Sequence, residues 1–406
     1  MSVLFPFRAL RPAPAVAERV ASVPYDVIDA AEARTLAADN PLSFLHVTRS
    51  EIDLPADVSP YDASVYARAV ANLAALTAAA PLVEDDEPSL YCYRLRMGAH
   101  EQTGVAGCFS VDEYDRDLIR KHEKTRREKE DDRTRHITEL RAQTGLVFLT
   151  YAASDAVAAV TARATTGAAP LYDFTAPDGV VHTVWRLVGA EREAMVAAFA
   201  AIDVLYIADG HHRAASASRA ARALAAADTA TDESARFVAV AFPDDQMHIL
   251  AYNRVVHDLA GHTPASLLEA IGQVASVSAG TAVPDAPGQV SMWLDGRWYA
   301  IALPAPDAGA SRADSLDVEV LQRRILEPIL RVGDPRVDKR IDFVGGIRGT
   351  AELERLVSSG RAAVAFSLYP VGIGDLMAIA DAGGIMPPKS TWFEPKLRDG
   401  LLVHRI

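Results

Sequence analysis

Cysteine is nearly missing from this chain: Cys92 and Cys108 are the only two in 406 residues. Two thiols are too few for a disulfide framework and are wrongly spaced for a zinc knuckle, so both are expected reduced in a cytoplasmic protein. Long apolar runs are missing too. The most apolar long stretch, 194–208, is broken by Asp203 and too short to cross a bilayer. The opening MSVLFPFRALRP sets Arg8 and prolines where a signal peptide needs an unbroken apolar core. No membrane partner is expected. Positive charge is in deficit, with 41 Lys and Arg against 54 Asp and Glu for a formal charge of −13. That balance is the reverse of a general nucleic-acid or anionic-membrane binder, although a local positive pocket can still hold phosphate. There is no G-x-G-x-x-G, G-x-S-x-G or H-E-x-x-H, which removes the usual evidence for dinucleotide dehydrogenases, serine hydrolases and zincins.

What is present is a chain half hydrophobic by count, compact in composition and long enough for two or three domains. Residues 1 to about 110 carry β-type runs (VLFPF, SFLHVTR, SLYCYRLRM, GVAGCFSV) around alanine-rich helical stretches near 30–39 and 62–80, with Asp29 placed to cap the first. The charged segment 119–145 reads as one long exposed helix rich in i,i+4 pairs. Strands follow at GLVFLTY and ARFVAVAF, and PDDQMHILAYNRVVHDL reads as a turn, a strand and the start of a helix. PDAPGQV, 284–290, is a connection, and SMWLDGRWYAIAL a hairpin turning at Asp295-Gly296. Strands and helices interleave without a strict βαβ rhythm, which predicts a mixed α/β or α+β class. The expected portions are 1–115, 116–283 and 284–406, the outer two being additional α/β parts.

Residues 207–227, IADGHHRAASASRAARALAAA, concentrate the chemistry. A buried strand ends at Ala208 and an alanine-rich helix follows, so Asp209, Gly210, His211, His212 and Arg213 fall on a strand-to-helix turn, where α/β proteins tend to place ligands. A helix N-terminus offers unpaired N–H groups and the positive end of its dipole to an anion. Gly210 lets the backbone approach a ligand, and Arg213 can fork onto phosphate oxygens. Asp209 either caps the helix or holds a magnesium ion that accompanies a nucleotide; His211 and His212 orient phosphate or pass a proton. The bland alternative is an N-cap with histidines dressing the first turn. Five consecutive polar or glycine residues favour an anion site over that alternative.

Two other stretches are less informative by themselves. KHEKT, 121–125, sets Glu123 beside His122 as a general base if its surroundings raise its pKa, whereas its charged context favours a solvated face. PPKST, 387–391, shares the last letters of a phosphate-binding loop without its glycines, so a P-loop is rejected. Lys389, Ser390 and Thr391 can still close over a phosphate on a stiff proline loop, or form an ordinary turn.

PFRALRP, VPYDVI, NPLSFLHVTR, KHEKTRREKEDDR, IADGHHRAASA, FPDDQMHILAYNRVV and MPPKSTWFEPKL, in this order, resemble the family known as domain of unknown function 1015 across nearly the whole chain. The DGHHR turn also resembles the signature of the ParB/sulfiredoxin-like fold, which includes archaeal free serine kinases. The resemblance implies a ParB-like core around the strand–DGHHR–helix unit and phosphorylation of free L-serine by ATP, with ADP as an alternative donor and Mg²⁺ as the accompanying ion. It assigns the base to Glu123 with His122 beside it, and the phosphate cradle to Asp209, Gly210, His211, His212 and Arg213. Tyr25 and Asp26 of VPYDVI, with Lys389, Ser390 and Thr391, are candidates for holding the amino acid. Partners are then a nucleotide and a small hydroxy amino acid, with no nucleic acid, and a homodimer is compatible. Alternatives are a nucleotide-binding regulator of ParB-like fold and a kinase for another hydroxy or amino acid.

Overall fold

The computed structural model describes residues 3–79 and 82–406. The chain divides into two compact units, Met1–Met247 with Pro395–Ile406, and His248–Glu394. Both are mixtures of helix and sheet, as the interleaved pattern predicts.

The first unit is built on a nine-stranded mixed sheet: β1 (Leu4–Phe5), β2 (Leu90–Met97), β3 (His100–Ser110), β4 (Ile119–Arg120), β5 (Val147–Tyr151), β6 (Tyr172–Thr175), β7 (Val181–Leu187), β8 (Leu205–Asp209) and β9 (Arg236–Pro243). The spatial order is β4-β8-β5-β9-β3-β2-β7-β6, with β1 on β3. Only β4/β8 and β5/β9 run parallel; the other pairs are antiparallel. Its principal helices are α1 (Ala30–Ala37), α2 (Ala63–Ala79), α3 (Arg127–Leu140), α4 (Asp155–Thr165), α5 (Gly189–Phe199) and α6 (His211–Ala226). Asp29 caps α1 in a reciprocal box with Glu32, as its position suggested. The main core gathers Val157 and Val160 of α4, Met195 and Phe199 of α5 and the small residues Ala214, Ala215 and Ala217 of α6 against the sheet. Alanine on that face lets α6 lie close to β5 and β9, which brings its N-terminus to the sheet edge.

The boundaries anticipated near 115 and 283 do not follow these units. Antiparallel pairing of β3 with β9, from Ser110↔Arg236 to Val105↔Ala241, joins the first hundred residues to a strand far along the chain. Residue 283 lies within the second unit. Three local expectations also change. SFLHVTR contains a short helix, Leu45–Thr48, whose Leu45, Val47 and Thr48 are buried; packing overrides their β preference. The 119–145 segment is not one helix: it comprises β4, an irregular stretch 121–126, α3 and the short strand Ala142–Gln143. After AYNRVV the chain turns at 257–263, and the next helix starts only at Pro264, where Thr263 and Ser266 form a capping box.

The second unit holds an antiparallel six-stranded sheet of β10 (Tyr252–Val256), β11 (Ser276–Ala279), β12 (Gln289–Leu294), β13 (Arg297–Ala302), β14 (Ile341–Gly345) and β15 (Val364–Leu368), in the order β11-β13-β12-β15-β10-β14. The β12–β13 hairpin turns where expected, with Asp295 and Gly296 both left-handed at φ 49° and 75°, the demand of a tight two-residue hairpin loop. Among the described residues no helix is long and apolar enough to cross a membrane.

Candidate active site

Parallel pairing decides where the two sequence motifs go. Leu205 and Tyr206 of β8 sit beside Ile119 and Arg120 of β4 in the same direction, so both strands release the chain at the same sheet edge. KHEKT leaves β4 there, and DGHHR leaves β8 there. Strand ends of this kind are where open sheets place ligands. Two hydrogen bonds then pin one segment on the other: the His122 N–H donates to His211 Nε2 at 3.4 Å, and the Arg126 N–H donates to His212 Nε2 at 3.0 Å. Nε2 of His211 is thereby an acceptor, which leaves its proton on Nδ1, and that atom lies 3.7 Å from a carboxylate oxygen of the half-exposed Glu123. The His122 and His211 rings meet edge to face, with centroids 4.4 Å apart.

Both rings are buried and held neutral. Burial pulls His122 down to about 4 against the opposing pull of Asp209, and burial reinforced by the neighbouring His122 pulls His211 well below its ordinary value. His212 is lowered as well, chiefly by burial. Within this contact the Glu123 carboxylate is the group that stands open to solvent.

The turn itself is held by charge. Gly210, not Asp209, is the N-cap of α6, and it is left-handed at φ +93°. A Cβ there would also come within 3.2 Å of the Arg213 guanidinium carbon, so glycine is required twice over. Asp209 ends β8; one carboxylate oxygen accepts the Gly210 N–H at 2.8 Å, and the other accepts from Lys396 Nζ at 2.9 Å with Arg213 3.9 Å away. Burial acts to raise the Asp209 carboxyl, but Lys396 and Arg213 override it and hold it below the usual carboxylate range. The Oδ2 atom of Asp209 is thus taken by Lys396, and Oδ1 accepts the Gly210 N–H.

Arg213 is placed differently from the phosphate fork expected of it. Its guanidinium is buried, donates to the Leu146 carbonyl and reaches Asp26 at 3.1 Å. Burial disfavours its charge, yet Asp26, Asp209 and Asp399 more than compensate and raise its pKa. Through this contact Asp26 is tied directly to the DGHHR turn, with Tyr25 buried next to it under the Arg133 guanidinium, 4.3 Å from the ring centre. The VPYDVI motif thus belongs to the same corner of the unit. Lys396 and Asp399, from the closing EPKLRD segment, join it and were not singled out from sequence. Asp399 is buried beside Arg213, one of its oxygens has no hydrogen-bond partner, and burial drives its pKa up to about 7. The lone signal for them was the EPKL motif, which carries no chemistry by itself. Lys389, Ser390 and Thr391 lie instead in the second unit. There the Pro388 and Lys389 carbonyls accept from Arg254, and the Ser390 hydroxyl donates to the Pro387 carbonyl at 2.6 Å.

Elsewhere in this unit Cys108, Glu233 and His404 approach one another. His404 pairs with Glu233 at 2.8 Å, and burial holds the Cys108 thiol well above its ordinary pKa, so an ion pair beside a thiol accounts for the group.

Comparison with solved structures finds a free serine kinase variant in complex with AMP, at 12% identity and a TM-score of 0.37, covering 73% of this chain and 92% of that one. It also finds a free serine kinase variant with ADP, at 13% and 0.36 over 73% and 92%. C-terminally truncated SbnI from Staphylococcus aureus aligns at 12% and 0.38, over 72% and 85%. At such scores nothing about this site follows from the likeness. No curated protein matches in sequence. Residues 4–319, well over half of the chain, match the family described as "Protein of unknown function (DUF1015)", and the chain belongs to that family.

Proposed function

We propose that the first unit is a small-molecule kinase, moving the terminal phosphoryl group of a nucleotide, ATP in the first instance, onto the hydroxyl of free L-serine to give O-phosphoserine. The bond from the serine oxygen to phosphorus forms as the bridging oxygen–phosphorus bond of the nucleotide breaks, and the hydroxyl proton goes to Glu123. The nucleoside diphosphate leaves with the electron pair of the broken bond.

The observation that carries the reading is the docking of KHEKT on DGHHR. A carboxylate open to solvent stands beside a neutral His211, itself at the positive end of a sixteen-residue helix whose first N–H groups have no intrahelical partner. Phosphoryl transfer asks for this combination: positioning, a charge-stabilising cradle and one base. His211 faces Glu123 with Nδ1 across 3.7 Å, while the His122 N–H holds His211 at Nε2. Arg213 is a positioning residue that locks Asp26 and the 146 carbonyl onto the turn, and Lys396 does the same for Asp209. L-serine as acceptor comes from the sequence resemblance; the geometry supports a hydroxyl acceptor.

Glu123→Gln is the test. General-base catalysis typically contributes about 10²- to 10⁴-fold, so kcat should fall by about that factor while nucleotide affinity is retained. Turnover equal to the wild type would remove Glu123 from the role of base.

A further inference from the structure

Two motifs of the sequence, AYNRVV and PPKST, meet each other in the second unit. We propose that they build a binding site there for the carboxylate or phosphate group of a small molecule, received by Arg254.

Arg254 lies on β10, a strand flanked on both sides by β14 and β15, and is 3% exposed. Its guanidinium donates to the Tyr252 carbonyl and to the carbonyls of Pro388 and Lys389, at 3.3 and 3.1 Å, and its carbon lies 5.5 Å from the Phe343 ring centre. Every one of these partners is uncharged. Among the described residues no carboxylate forms an ion pair with it. Arg254 lines a cavity of about 380 Å³ shared with Tyr252, Leu316, Val371 and Ser390, a size in the range that takes small ligands.

A buried charge with no counter-charge is costly, and a protein that keeps one normally supplies an ion from elsewhere. Burial pulls Arg254 down to about 9, opposed by Tyr252 and Glu319. Two carboxylates share the cavity wall and are already engaged. Asp375 is paired with Arg312, and Asp317 directs both oxygens at the Gly288 N–H, at 3.0 and 2.9 Å. The uncompensated charge in the cavity is therefore positive, on a planar donor fixed by three carbonyls and suited to the two oxygens of a carboxylate or phosphate. This site is independent of the kinase reading.

The experiment is calorimetric titration of the full chain with sodium acetate and, separately, inorganic phosphate, on the wild type, Arg254→Gln and Val371→Trp. Val371→Trp plugs the cavity while leaving Arg254 in place, and so localises any loss to this unit. Binding of either probe weakened by at least about tenfold in the variants supports the site, and the probe that binds names the ligand class. If circular dichroism shows Arg254→Gln unfolded, Val371→Trp decides alone. No binding of either probe to the wild type, or equal binding in the folded variants, overturns the proposal.

Discussion

Arg213 and Arg254 are both buried guanidiniums, and the chain treats them in opposite ways. Arg213 sits among Asp26, Asp209 and Asp399, and its pKa rises despite burial. Arg254 donates only to carbonyls, and burial, opposed by Tyr252 and Glu319, brings it down to about 9. The first is a fixed charge balanced by carboxylates that ties VPYDVI to the DGHHR turn, while its buried Nε has no hydrogen-bond partner. The second is a charge left unbalanced in a cavity. One buried arginine thus serves architecture, and the other points to what is missing.

If that contrast is right, the first unit should be the more vulnerable to acid. His122, His136 and His182 of that unit are depressed by burial to about 4, 3 and 3. Their unfolded forms titrate near 6.5, so below that pH the unfolded chain binds more protons and native stability falls as pH drops toward the folded values. Asp399, raised to about 7, acts the other way: its contribution is full below about 4 and is lost as pH rises through 7. His211 and His212, also lowered by burial, add to these three against Asp399, and amide exchange at pH 4.5 should open the first unit well before the second. Uniform loosening of both would break the contrast.

Asp209→Asn should be next in size. It strips the anion from between Lys396 and Arg213, costing about 2–3 kcal/mol, less than a fully buried pair because Asp209 keeps some solvent contact. Chemical denaturation measures it, and an unchanged midpoint would mean the corner is not held by charge. Gly210→Ala should cost about 1–2 kcal/mol from its left-handed backbone alone, together with displacement of Arg213, and lower turnover. Smallest is Thr263→Ala, which removes a helix cap of the second unit for about 1 kcal/mol and should leave both phosphoserine formation and anion binding unchanged.

The strand–DGHHR–helix unit was legible because an apolar run and an alanine tract flank it with opposite periodicities. The hairpin at Asp295-Gly296 and the cap at Asp29 were legible for the same local reason. The structured path of KHEKT was not, since alternating charges conceal a two-residue edge strand that exists only because β8 pairs with it. The pairing of Arg213 with Asp26 was not legible, because the two lie 187 residues apart. Lys396 and Asp399 escaped for the same cause, their role being created by long-range contacts. Arg254 was visible only as a letter in a motif, and what distinguishes it is that no carboxylate among the described residues forms an ion pair with it in three dimensions.

The central claim is most directly tested by incubating the purified chain with ATP, Mg²⁺ and L-serine and following O-phosphoserine by phosphorus NMR, with Glu123→Gln in parallel. The account predicts steady product from the wild type and about a hundredfold less or lower from the variant. Nucleotide left intact by the wild type, with no phosphoserine formed, would contradict it.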